Sequence, residues 1–222
     1  MELLSVIRAR AVWLLYLREI NPRGKNTDAH IIEWLRNKYL FLKYPSSVYD
    51  RDASQALTFT GGSFYGHDGS SIGVDLSIYN DGLIADTRSS TKDADAFIQD
   101  VLSSIIKDFD LVCKPETLRK KLYTSELSVK PERPLNNANQ KMQRFVRKVV
   151  SMMGDNNPGT LEFASLGFWW DPLSPNGQSH FQFERLVNTP FSEQRYYSRA
   201  PLHTHDHLQL LDEFEDLLLG YA

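Results

Sequence analysis

Three histidines fall within five residues, in His203-Thr204-His205-Asp206-His207. Imidazole is a ligand for zinc, copper or nickel, so the segment invites a metal reading. The spacing restricts it. Alternate residues share one face of a strand but spread around a helix. Thr204 is a credible helix cap, and with a helix starting there only His203 and His207 come near each other. These two are the candidate metal ligands, and a distant carboxylate would have to complete the site. The competing structural reading is a set of exposed histidines around a helix start, where the dipole disfavours a protonated ring. We expect no cofactor.

A second segment could hold an anion. Asp86-Thr87-Arg88-Ser89-Ser90-Thr91 is a hydroxyl-rich turn leading into a helix. Unpaired N–H groups at a helix start attract phosphate, which makes Arg88, Ser89, Ser90 and Thr91 candidates. No glycine-rich loop or Walker-type lysine accompanies them. Asp86 and Asp93 would repel an anion, so the competing reading is a cap network with a local Asp–Arg pair.

Covalent chemistry has less support. The single cysteine, Cys113, excludes a disulfide or a cysteine-based zinc site within one chain. Beside Leu111-Val112 it reads as a core residue. Gly61-Gly62-Ser63 and Asp68-Gly69-Ser70 lack the flanks of a nucleophile elbow. Asp212, Glu213, Glu215 and Asp216 suit a solvated helix end.

The most unusual segment runs from Glu184 to Pro201. It sets Phe191, Tyr196 and Tyr197 among Arg185, Arg195 and Arg199, within a stretch otherwise acidic. Aromatic rings with arginines suit a protein interface. The alternative is a long loop pinned to its own domain by the same aromatics and by Arg–carboxylate pairs.

Charge comes in blocks of alternating sign. Residues 113–148 carry 10 basic and 3 acidic side chains; residues 149–222 carry 3 and 10. The basic block holds Arg119, Lys120, Lys121, Lys141, Arg144, Arg147 and Lys148, and such a stretch can follow a phosphate backbone. No nucleic-acid motif goes with it, and the chain as a whole is acidic, with a pI near 6.1. Opposite blocks can also attract one another, within a chain or between copies.

The elements that must carry these residues follow from periodicity. Residues 2–20 are apolar around much of a helical circumference, and a second helix is expected from Thr27 to Pro45. Ile72, Val74, Leu76 and Ile78 alternate as a strand, and Asn80-Asp81-Gly82 supplies a hairpin turn. Gly61-Gly62 marks a bulge or bend. A helix follows Thr91, a strand spans Leu122 to Val129, and residues 137–153 form an amphipathic helix. Gly154 to Gly159 is a loop and the best boundary. With an offset of 113, Thr91 matches Thr204, Asp93 matches Asp206, Phe97 matches Leu210 and Val101 matches Phe214.

The expected fold class is α+β: an N-terminal helical hairpin (1–45), a first β/helix unit with a basic strand-helix extension (46–155) and a second β/helix unit (156–222). The two β-hairpin-plus-helix units would share an antiparallel or mixed sheet in one compact domain; their matched positions fit a degenerate repeat, but any two capped amphipathic helices align equally well. The apolar N-terminus reads neither as a secretory signal nor as a membrane span, because Glu2, Arg8 and Arg10 interrupt it. A cytoplasmic location is the expectation. The expected function is non-catalytic protein binding or assembly, with the chain its own partner as a homodimer or larger oligomer, another protein as a further partner, and neither membrane nor nucleic acid required. Two alternatives stay open: a metal-dependent enzyme using His203 and His207, and a nucleic-acid accessory protein using residues 114–148.

Overall fold

Ala9, Ala11, Trp13 and Leu15 are buried, and the residues between them are not. That period of two belongs to a strand. In the computed structural model the chain begins with β1 (Glu2–Leu15), which overturns the expected helical hairpin. A run that is apolar at nearly every position fits a buried helix or a buried strand equally well. The arginines decide between them: Arg10 lies opposite Asp86 on the neighbouring strand and makes a bidentate pair with it, at 2.7 Å from both Nε and Nη2. The structure describes residues 1–21, 28–47, 49–50, 56–66, 68–135, 140–154, 161–171, 173 and 180–219. Thr27, the expected second cap, and most of the Gly154–Gly159 loop lie outside them.

After β1 come α1 (Leu17–Ile20), α2 (Asp28–Tyr39), β2 (Leu57–Tyr65), β3 (Ser71–Tyr79), β4 (Gly82–Thr87) and α3 (Thr91–Asp108). Then follow β5 (Leu118–Lys130), α4 (Gln140–Met153), β6 (Ser165–Phe168), β7 (Phe181–Arg185), β8 (Tyr196–Ala200) and α5 (Thr204–Leu219). The strands form one eight-stranded sheet in the order β2-β3-β4-β1-β5-β8-β7-β6. Every pairing whose register is described is antiparallel. Two hairpin-plus-helix units are too small to account for this sheet. The first half runs strand, two helices, three strands, helix, and the second runs strand, one helix, three strands, helix, leaving 3-10 turns aside. No helix among those residues is long and apolar enough to cross a membrane.

The chain divides into two compact units, and neither is continuous in sequence. The larger joins Arg8–Ser125 with Leu202–Thr204; the smaller joins Met1–Ile7, Glu126–Pro201 and His205–Ala222. In the larger unit α2 contributes Ile32, Leu35 and Tyr39 to the core, and α3 contributes Ala94, Phe97, Ile98 and Val101. Tyr39 meets Phe97 edge-on, with centroids 5.0 Å apart, and its hydroxyl donates to Asp100 at 2.7 Å. The second helix stops at Tyr39, before the expected Pro45. Leu40 turns left-handed (φ 57°), and Phe41 N–H reaches back to the Arg36 carbonyl at 3.2 Å. The register of β2 against β3 shifts between Phe59 and Gly62, where the glycine pair suggested a bulge.

The smaller unit has the smaller core among the described residues. Leu127, Val129, Leu135, Phe183, Tyr196, Leu211 and Phe214 form it. Phe183 stacks on Tyr196 at 4.7 Å and meets Phe214 edge-on at 5.1 Å. Glu215, buried on α5, accepts the backbone N–H groups of Glu132 (2.7 Å) and Arg133 (3.2 Å). Unlike α2, α4 buries none of its residues from 143 to 153.

Gly62 leaves room for the ring of Phe41, since a Cβ there would stand 2.4 Å from it. Gly62→Ala should therefore displace a buried ring and lower stability by about 1–3 kcal/mol, the usual cost of overpacking. Urea denaturation checks this, and an unchanged midpoint would contradict it.

Candidate functional site

Thr91 and Thr204 begin α3 and α5, and both are buried in the larger unit. Each closes the other's backbone. Thr91 N–H donates to Thr204 Oγ1 at 3.0 Å, and Thr204 N–H donates to Thr91 Oγ1 at 2.9 Å. First-turn N–H groups have no partner inside their own helix, so the pair satisfies two donors that burial would otherwise leave orphaned.

That arrangement fills the candidate anion site. Ser90 caps α3, its Oγ accepting Asp93 N–H at 3.1 Å. The Asp93 carboxylate takes the hydroxyls of Ser89 and, at 2.7 Å, Ser90. A carboxylate thus stands where an anion would bind, and the Thr91 N–H is engaged by Thr204. Arg88 is exposed, and the Asp–Arg pair forms across strands through Arg10.

His203 sits against the same pair, its Nδ1 3.3 Å from Thr91 Oγ1. Its ring lies 3.7 Å from the Tyr123 ring, tilted by 34°. Tyr123 donates its hydroxyl to Asp95 at 2.8 Å, and Trp13 Nε1 donates to the same oxygen at 2.7 Å. Lys121 pairs with the other Asp95 oxygen at 3.0 Å while lying 3.8 Å above the Trp13 ring. Burial, with Asp95 adding to it, pushes the Tyr123 phenol well above its usual range. Lys121 of the basic block is therefore engaged inside the larger unit, as is Arg119, which lies 3.9 Å over Tyr16 and pairs with Glu19 at 3.1 Å. Arg144, Arg147 and Lys148 are exposed on α4. The Lys141 side chain lies outside the described residues.

His207 has different partners. It is fully buried in the smaller unit, with Nε2 2.8 Å from Ser198 Oγ. Ser198 directs its one hydroxyl proton to the Gln182 carbonyl at 3.1 Å. Ser198 Oγ thus has two hydrogen-bond neighbours, the Gln182 carbonyl and His207 Nε2. Both side chains are sealed from solvent. Among the described residues no three His, Cys, Asp or Glu side chains gather as a metal site. His203 and His207 do not share a ligand set. Cys113, expected in a core, is exposed, and desolvation raises its thiol pKa, which leaves it a weak nucleophile.

The 184–201 segment is not a free loop. Its second half is β8, hydrogen-bonded to β7. Tyr196 is fully buried, and Arg185 pairs with Glu162 at 2.6 Å while lying 4.4 Å over Phe191. Tyr196 and Arg185 are thus turned away from any partner, because strand alternation sends every second residue inward. Arg199 stands 3.8 Å from Glu126, and Arg195 stands 3.8 Å from Glu193. Phe191 is exposed; Arg195, Tyr197 and Arg199 are half-buried.

The surface that sequence reasoning missed begins at β6, at one end of the sheet order. Phe168, Trp169, Trp170 and Leu173 are exposed there, Trp169 at 75%. Trp169 stacks on His180 at 3.7 Å. The signal was present: a strand cannot turn three successive aromatics to one face. No protein-family model and no curated protein matches the chain.

Burial holds the His207 pKa down, from 6.5 to about 4. The folded state favours the neutral ring, so the contribution to stability is complete above pH 6.5 and is lost as pH falls toward 4. The loss should be on the order of 3 kcal/mol. Denaturation of wild type and His207→Gln between pH 7 and pH 4 checks it. The variant should lose less stability over that window; parallel profiles would contradict the assignment.

Proposed function

We propose that the protein is a non-catalytic, cytoplasmic protein-binding protein that assembles with copies of itself, as a homodimer or a larger oligomer. The observation that carries this reading is the imbalance of the smaller unit. Among the described residues its buried core is small, while Phe168, Trp169, Trp170 and Leu173 are exposed beside an edge strand. Exposed apolar side chains are ordinary one at a time, but several in succession mark an interaction surface. An edge strand adds unpaired backbone groups, which a strand from another chain can complete. Aromatic rings are the side chains that most often anchor such interfaces.

The reading uses the β6 edge as the contact surface instead of the whole 185–199 segment, whose Arg185 and Tyr196 have internal partners. It needs no cofactor. No specific observation favours a metal enzyme or a nucleic-acid accessory role: His203 is held by Thr91 and Tyr123, and the basic block is divided between internal pairs and α4.

Sedimentation velocity of the purified chain at tens of micromolar should give the mass of a dimer or a larger species. Trp169→Ser with Trp170→Ser should weaken association at least tenfold while leaving cooperative unfolding in place. A wild-type monomer at every concentration, or an association unmoved by both serines, would count against the reading.

A further inference from the structure

We infer that copies of this chain dock through a cross-charged helix pair, with α4 of one copy lying antiparallel against α5 of another. The inference rests on the self-association reading and adds a second pair of meeting surfaces to the β6 edge. Both helices belong to the smaller unit and both present a charged outer face. On α4 the exposed residues are Arg144, Phe145, Arg147, Lys148, Ser151 and Met152, with no acidic residue anywhere on the helix. On α5 the outward face carries Asp206, Glu213 and Asp216 with Leu210 and Leu217, beside Asp212, whose carboxylate pairs with the Met1 ammonium, and no lysine or arginine occurs on that helix.

The apolar residues make the match specific. Phe145 and Met152 lie seven residues apart, as do Leu210 and Leu217, so each pair lines one side of its helix. Phe145 is 68% and Met152 79% exposed. At 100° per residue, the apolar pair borders the charged arc on the same rotational side in both helices. When two such helices face each other antiparallel, like sides meet. Phe145 and Met152 then lie against Leu210 and Leu217, and the basic arc lies against the acidic one. The parallel arrangement would set apolar residues against charges.

Neither helix can supply this contact to its own kind. Two α4 faces would oppose arginine with arginine, and two α5 faces would oppose aspartate with aspartate, at a cost in both cases. A second copy offers the complement of each. The outer half of α4 is left over from its own fold: Val146, Val149, Val150 and Met153 are half-buried on the opposite side, and none of residues 143–153 is buried.

Charge reversal tests the pairing. One chain carries Arg144→Glu and Lys148→Glu, a second carries Glu213→Lys and Asp216→Lys, and a third carries all four changes. Circular dichroism establishes that each is folded, and sedimentation velocity at low salt reads association. Each two-site variant alone should associate at least tenfold more weakly than wild type. An equimolar mixture of the two should recover wild-type association, and the four-site chain should assemble with itself but not with a tagged wild type. If wild type assembles and both two-site variants assemble equally well, the helix pairing is overturned while self-association stands. If wild type remains a monomer, both readings fall.

Discussion

Two buried threonines, Thr91 and Thr204, each accept the other's backbone N–H, and the placement of residues 202–204 depends on that exchange. A helix start brings N–H groups with no partner in the helix, and burying them unpaired is expensive. Here each start is the other's cap. With Thr204 fixed, His203 comes to rest against Thr91 and over the Tyr123 ring, and Tyr123 is held in turn by Asp95. Trp13 and Lys121 bind the same carboxylate, so a histidine that could have been a metal ligand ends inside a structural network.

The two units solve the problem of burial differently. The larger unit covers its strands with α2 and α3 and closes over a core rich in aromatics. Among the described residues the smaller unit gathers fewer buried side chains, leaves the outer side of α4 exposed and carries an aromatic run past its edge strand. Apolar surface that a unit cannot bury in itself is the ordinary starting point for association. The same unit presents a basic helix face and an acidic one, so charge can select the orientation in which that surface is covered.

Much of this frame was legible residue by residue, where a local rule was strong. The alternation of Ile72, Val74 and Leu76 announced β3, and Asn80-Asp81 forms the two-residue turn between the Tyr79–Gly82 pair. The spacing of 113 between Thr91 and Thr204 was visible on paper, and it joins two residues that bond each other. The apolar residues of the N-terminus carry no clear period in sequence; the alternate burial from Ala9 to Leu15 and the pairing of Arg10 with Asp86 on another strand settle it as β. Arg185 and Tyr196 looked like an interface because their types suit one; their partners, Glu162 and Phe183, are set by strand pairing that no local pattern encodes. His207 reads in sequence as a candidate metal ligand and Ser198 carries no signal at all; their contact depends on β8 and α5 meeting in the smaller unit's core.

The most direct test of this account is the stability of two substitutions at Thr204, measured by equilibrium unfolding. Thr204→Val keeps the shape, removes the hydroxyl and orphans the Thr91 N–H; it should cost about 1–3 kcal/mol. Thr204→Ser keeps the hydroxyl and should recover most of that loss. A valine variant as stable as the wild type, or a serine variant no better than valine, would contradict the claim that the threonine exchange holds residues 202–204 in place.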